Sequence, residues 1–430
     1  MIFTRTRLGR KPSSTLALAI ALATTSAVAA TAIEAPAYAQ KKKKGDAQQA
    51  EKNYSKEFIA VYQPLAKQVE EGADVTTLQG QIPALTGAIQ TPDDRYVAGN
   101  MILQMGQKGE DPALQRQGLE MMLQSGKVPA ESLGQYNMIA GQIAYNAKDF
   151  AAARQYMETA VANGYTQNAP QALIAETYFQ EENYADGLTY LTQAIEARQA
   201  AGQPVDQQWI KRGLSISYNN QLSSQASDYA RMLVANEPTP ANWADVVAIQ
   251  LNGTRYENPE LLDLMRLARE ADALRDEGFY ADYVDAADYR KLPGEVVAVI
   301  DEGKASGKID QSSQFLNDIR GQAVSRAQTD RNDLPGILSN ARSASDVSTI
   351  VSGADLALSY GEYAAAEELY MKALDMPGAD TALVHTRLGI AQLELGKTAE
   401  AKSHFDAVSS GTRAPIAKLW SVYADQQGGM

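Results

Sequence analysis

Two stretches of this chain repeat each other at a spacing of 34 residues. In the first, Gly141-Gln142-Ile143-Ala144-Tyr145 leads through Asp149-Phe150-Ala151-Ala152-Ala153 to Tyr156, Met157 and Ala160. In the second, Ala175-Glu176-Thr177-Tyr178-Phe179 leads through Asn183-Tyr184-Ala185-Asp186-Gly187 to Tyr190, Leu191 and Ala194. A fixed period of this length marks a unit that cannot bury its apolar face alone and must stack on its neighbours to do so. Apolar residues within each copy recur three and four apart, so each unit is a helical hairpin and the chain is expected to be an all-α solenoid.

Further copies keep the register. Trp209 and Gly213 open a hairpin that runs to Tyr229 and Leu233, and Trp243 opens the next, one period after Trp209. Tyr280 and Tyr283, then Leu292-Pro293-Gly294-Glu295, mark another that ends near Gly303. Upstream, Tyr96 to Met105 followed by Leu114 to Leu123 has the same two-helix rhythm, and Phe58 to Ala88 has it more weakly. The insertion Ala200-Ala201-Gly202-Gln203-Pro204 reads as a longer surface loop. Residues 310–345 are helical in pattern but fall out of register, as a divergent repeat or as a break between two half-solenoids. About ten hairpins fit this period. After Pro415, a helix over 416–424 carries Leu419, Trp420 and Tyr423 on one side and is placed to cap the last repeat.

The best-patterned units lie near the C-terminus. Gly361-Glu362-Tyr363-Ala364-Ala365-Ala366 continues to Leu369, Tyr370 and Ala373; Leu388-Gly389-Ile390-Ala391 leads through Leu395-Gly396 to Ala399, Ala401 and Phe405. Helices joined by a short turn approach closely only where facing residues are small, and Ala153, Ala160, Ala366, Ala373 and Ala401 occupy such positions. Tyr370 and Phe405 then fill the space toward the next hairpin. Gly361 and Gly396 suit a turn that needs a left-handed backbone.

These residues resemble the tetratricopeptide repeat (TPR), over most of 90–410 and most clearly over 136–195 and 347–408. With the features of the N-terminus given below, the chain looks like the exported, periplasmic TPR proteins of Gram-negative bacteria. The resemblance implies a right-handed α-solenoid over 55–430 and a non-catalytic scaffold whose concave groove, lined by first helices, binds a protein or peptide. Projected onto this chain, the partner-binding positions are Gln142, Tyr145 and Asn146 in one repeat and Glu176, Phe179 and Gln180 in the next. The basic clamp that some family members use for a C-terminal carboxylate has Gln, Glu, Ala or Ile in its place.

Residues 1–39 have the layout of a secretory signal. Arg5, Arg7, Arg10 and Lys11 form a basic start, 16–30 an apolar stretch too short to span a bilayer, and Ala37-Tyr38-Ala39 a small-residue cleavage site before Gln40. A polar linker over 40–54 follows. Cleavage takes the net charge from −13 to −16, because four basic residues and one acidic residue leave with the signal. That charge repels nucleic acid, and no basic, aromatic-interleaved patch opposes it. The expected location is the periplasm, the expected partner a protein or peptide of the cell envelope, with no membrane span after cleavage.

Few residues suggest chemistry. There is no cysteine, and His385 and His404 are the only histidines; both lie in the last repeat, where two imidazoles lack the third ligand of a usual metal site. No metal or cofactor is expected. Gly303-Lys304-Ala305-Ser306-Gly307-Lys308 lacks the leading glycine, the following hydroxyl residue and the strand of a phosphate loop. Adjacent acids such as Asp93-Asp94 and Glu367-Glu368 are expected on solvated faces. Two other function classes remain at this level. A glycan-associated or glycan-processing solenoid needs paired carboxylates in a cleft, and a self-assembling structural protein needs a large apolar end patch.

Overall fold

In the computed structural model the described residues are 53–428 except Asn168. The expected signal sequence, and the expected linker up to residue 52, lie outside them. Among the described residues every regular element is helical, and consecutive helices pack in pairs, so the chain is an all-α solenoid. It divides into two compact units, one ending at Pro204 and one beginning at Val205. The division falls at the end of the insertion that the sequence marks as a surface loop.

The first unit contains α1 (Lys56–Glu70), α2 (Val75–Gln79), α3 (Ile82–Gly87), α4 (Pro92–Lys108), α5 (Pro112–Gln124), α6 (Ala130–Asn146), α7 (Phe150–Ala162), α8 (Pro170–Gln180) and α9 (Tyr184–Ala200). Its start is one helix and two short ones in place of a regular hairpin. Phe58, Leu65, Leu78 and Leu85 bury themselves against Val97 and Met101 of α4. Asp94 corrects the expectation of a solvated acidic pair. It is fully buried, it closes the capping box at the start of α4, and it accepts hydrogen bonds from the Ser55 hydroxyl (2.8 Å) and the backbone N–H of Ser55, Gln90 and Thr91. Burial pushes its carboxyl up, but those four donors outweigh burial and hold it below the usual carboxylate range. Glu367 and Glu368 are likewise engaged, Glu367 by Lys397 and Glu368 by Arg342.

The second unit contains α10 (Gln207–Asn219), α11 (Ser223–Asn236), α12 (Pro240–Gly253), α13 (Asn258–Glu270), α14 (Glu277–Ala287), α15 (Pro293–Ala305), α16 (Gln314–Ser343), α17 (Val347–Ser359), α18 (Tyr363–Leu374), α19 (Thr381–Glu394), α20 (Thr398–Ala407) and α21 (Ala414–Gly428). The unregistered segment 310–345 is almost wholly α16, a single 30-residue helix with Pro335 inside it. Leu316, Ala323, Leu334, Leu338 and Ala341 are its buried residues. They are too sparse to display a period, and no left-handed stop interrupts them.

Two devices recur along the hairpins. A glycine on a first helix receives an apolar side chain from 16 residues later. A Cβ at Gly141 would meet Met157 Cγ at 2.6 Å, and one at Gly389 would meet the Phe405 ring at 2.6 Å; Gly213 faces Tyr229 in the same way. The turns also repeat. The N–H five residues on closes onto a carbonyl of the last helical turn at Asp111→Gly106, Asp149→Ala144, Asn183→Tyr178, Leu222→Ser217, Glu362→Ala357 and Lys397→Gln392, all 2.8–3.0 Å. This bond belongs to a helix stop whose preceding residue is left-handed. Gly361 and Gly396 supply that residue in two hairpins, as expected, whereas Glu110, Lys148, Glu182 and Gln221 adopt φ of 50–61° in the others.

The C-terminal helix does more than cap. Phe405 of α20 stacks on Trp420 of α21 at 5.8 Å. In addition, Trp420 Nε1 donates to Asp263 O (3.0 Å), Tyr423 OH to Glu270 O (3.0 Å) and Gln426 Nε2 to Val234 O (2.9 Å). These donors sit three residues apart on one face of α21. Val234 and Glu270 lie in the last turns of α11 and α13, where carbonyls lack intrahelical partners. Helix α21 therefore covers the ends of α11 and α13.

Candidate functional site

The six positions projected from the repeat pattern lie on α6 and α8, which both pack against α7. Asn146 and Gln180 are exposed, and Gln142 and Tyr145 are half-buried. Tyr145 meets Phe150 edge-on at 5.5 Å. Glu176 and Phe179 are buried, at 7% and 5% exposure. Phe179 packs inside its own hairpin, where a Cβ at Gly187 would come within 2.5 Å of its ring. It takes the place of the 16-residue interlock, with the large side chain on the first helix and the glycine on the second. Glu176 accepts a hydrogen bond from Gln180 Nε2 at 2.9 Å. The surface left for a partner is amide-rich: Gln142, Asn146 and Gln180, with the edge of Tyr145.

A second polar surface of the first unit escapes the repeat logic. Arg154 of α7 bridges to α8, donating to Glu181 Oε2 (2.6 Å) and Thr177 Oγ1 (3.3 Å), with its guanidinium 4.4 Å from the Tyr178 ring centre. Tyr178 in turn lies 6.4 Å from Tyr190. Tyr190 lines an open depression of about 340 Å³ with Gln171, Gln193, Arg198 and Gln203. Burial, and then the nearby Glu158 and Tyr178, raise the Tyr190 hydroxyl to about 12, so it stays a neutral hydrogen-bond donor. Amide groups over a tyrosine floor can hydrogen-bond an extended backbone or a hydroxylated ligand. Tyr178 and Tyr190 belong to the repeat pattern, whereas Gln171, Gln193, Arg198 and Gln203 do not, which is why the pattern alone does not single out this surface.

The second unit holds a buried charge cluster. Asp263 of α13 is fully buried and accepts from Arg387 Nε of α19 (2.9 Å) and from Arg413, just before α21. Arg387 also donates to Asp355 of α17 (2.7 Å), which accepts from Tyr370 OH (2.5 Å). Arg266 binds Glu295 of α15 through two parallel bonds of 2.8 and 2.7 Å, and Tyr283 OH adds a third at 2.7 Å. Burial pushes the Glu295 carboxyl up; the charge and paired hydrogen bonds of Arg266, with the Tyr283 hydroxyl, more than offset this and leave it below the usual range. Three guanidinium groups thus meet three carboxylates, and the cluster is neutral.

At the end of α13, Glu270 is reached by water yet flanked by protein. Desolvation raises its carboxyl to about 6, Glu394 and Glu302 add repulsion, and Arg269 opposes them. Arg269 Nε is 2.8 Å from Glu302, and the Tyr363 hydroxyl is hydrogen-bonded to Glu394. The glycine- and lysine-rich run 303–308 ends α15 and turns, with Lys308 paired to Asp272 at 2.8 Å. Among the described residues no group of three or more histidines and carboxylates could hold a metal ion, and no helix is long and apolar enough to cross a membrane. Comparison of the sequence with protein-family models and with curated proteins found no match to either.

Proposed function

We propose that this protein is an exported, non-catalytic scaffold of the tetratricopeptide-repeat type, a right-handed α-solenoid that binds a protein or peptide partner of the cell envelope. The observation that carries this reading is the amide and tyrosine surface of α6–α9, set on hairpins locked by recurring small-to-large contacts. Rigid hairpins presenting amides and aromatic edges suit an extended peptide, whose backbone needs partners along its length and whose side chains need stacking surfaces. Crosslinkable residues at Asn146, Gln180 and Gln193 should each capture the same envelope protein in intact cells. Capture of no specific partner, together with an unchanged phenotype for Tyr145→Ala, argues against the adaptor. Export has its own test, since the mature chain should begin at Gln40.

One observation favours a second, enzymatic reading. Glu270, held near pKa 6 beside Glu394 and Glu302, has the protonation behaviour of a general acid with a neighbouring base, as glycan hydrolysis requires. Turnover of cell-wall glycan fragments that disappears in Glu270→Gln would favour it over the adaptor. Absence of turnover by the parent protein removes it.

A further inference from the structure

The chain has two histidines in 430 residues, and the fold brings them into contact. His385 lies on α19 and His404 on α20, and their Nδ1 atoms are 2.9 Å apart with the rings tilted by 33°. Both are half-buried. Burial pulls both imidazoles below their usual pKa; for His404 the neighbouring His385 adds to this and Glu367 opposes it. Neutral imidazole is the form that ligates metals. One Nδ1 then carries a proton shared between the rings, and a metal ion can take its place on that nitrogen when the proton moves to Nε2 of the same ring, which leaves both Nδ1 lone pairs free.

We propose that His385 and His404 form a two-histidine site for a divalent transition metal that favours cis nitrogen donors in a tetragonal field, Cu²⁺ before Ni²⁺. The argument is geometric. With metal–nitrogen bonds of about 2.0–2.1 Å, two donors 2.9 Å apart subtend about 90° at the metal. That is the cis angle of a tetragonal site. A tetrahedral zinc centre needs donors about 3.3 Å apart, so the pair as folded selects against zinc, in line with the general order of affinities. Glu367 of α18 supplies negative charge to the site without joining it, because Lys397 (2.6 Å) and Gln392 (3.2 Å) occupy its two oxygens. Water completes the remaining positions. The lack of a third protein donor, which led the sequence away from a metal site, sets a modest affinity instead of excluding one.

The test is a Cu²⁺ titration of the tag-free mature chain, residues 40–430, at pH 7.5, monitored by calorimetry and electron paramagnetic resonance. One equivalent should bind with a dissociation constant in the micromolar range or tighter, with the spectrum of a tetragonal site. Modulation of the electron spin echo should report two imidazoles, and Zn²⁺ should bind at least about tenfold more weakly. His385→Gln and His404→Gln, each checked for native helicity, should each weaken Cu²⁺ at least about tenfold. Unchanged affinity in either variant, an echo signal from fewer than two imidazoles, or no binding by the parent protein below about 100 μM overturns the proposal. The echo measurement on the parent protein decides the matter even if a variant fails to fold.

Discussion

Asp263→Asn tests what closes the second unit. Asp263 is the carboxylate shared by Arg387 and Arg413, and Arg266 Nη1, a buried atom without a hydrogen-bond partner, lies 3.7 Å from it. Three buried cations now face three carboxylates. The substitution keeps the side-chain shape but leaves one uncompensated positive charge where the partners are 4–7% exposed. Removing one member of a buried pair costs about 3–5 kcal/mol, and an amide that retains some hydrogen bonding should fall near 3 kcal/mol. With a urea slope of about 2 kcal/mol/M, the unfolding midpoint drops by about 1.5 M. The assay is tryptophan fluorescence, which reports this unit alone because Trp209, Trp243 and Trp420 all lie beyond Pro204. Arg413→Gln should cost less, about 1–3 kcal/mol, since Arg387 still serves Asp263. The double variant should be more stable than the summed losses imply, by about 1–2 kcal/mol, because it restores neutrality. A midpoint within about 0.3 M of the parent in Asp263→Asn, or strict additivity in the double variant, would refute the reasoning.

Other perturbations follow from the same contacts. Lys148→Gly, Glu182→Gly and Gln221→Gly relieve left-handed turn residues and should each stabilise by about 0.5–1 kcal/mol, seen in thermal melts. Gly118→Ala should instead destabilise the first unit by about 1–3 kcal/mol or more, because its Cβ would sit 2.6 Å from Gly99 O with no flexible side chain to yield. Gly321→Ala, in the open on α16, is the matching control and should stabilise by about 0.5–1 kcal/mol. Glu270→Gln should raise the melting temperature at pH 7.5 but not at pH 4. The folded carboxyl, raised to about 6, loses its proton with more difficulty than in the unfolded chain. Its stabilising effect is therefore complete below the unfolded value and disappears as pH rises through about 6.

Hairpins were legible because packing repeats. Ala153, Ala366 and Ala401 are fully buried at the expected contacts, and Gly361 and Gly396 take the left-handed turn. The turns at Lys148 and Glu182 are not legible in the sequence because the helix-stop bond, not the residue type, holds them in that conformation. Phe179, projected onto the groove, packs inside its hairpin for a related reason: the hairpin of α8 and α9 swaps large and small across the interlock, placing glycine at Gly187. Asp94 looked like half of a solvated acidic pair, since nothing local announces a bond to Ser55, 39 residues away. The division at Pro204 had only an insertion to mark it.

What stops the array is aperiodic. Contacts joining Arg387, Arg413, Trp420, Tyr423 and Gln426 to α11 and α13 span 124–192 residues, far beyond the period of the repeat. A periodic sequence sets how each hairpin lies on the next, so it can extend a stack but cannot choose its last member. Buried charge can, because Asp263 is satisfied only when guanidinium groups from two later segments reach it, and an unmet carboxylate in that position is strongly unfavourable. On the proposed reading, the same contacts bear on where a partner would fit. In the second unit, end carbonyls of α11 and α13 are already taken by α21 and the Asp263 carboxylate by Arg387 and Arg413, so an incoming peptide would have to displace them. In the first unit, Asn146 and Gln180 are exposed on α6 and α8. On the proposed reading, substitutions at Asn146 and at Asp263 should act independently, the one on binding and the other on stability.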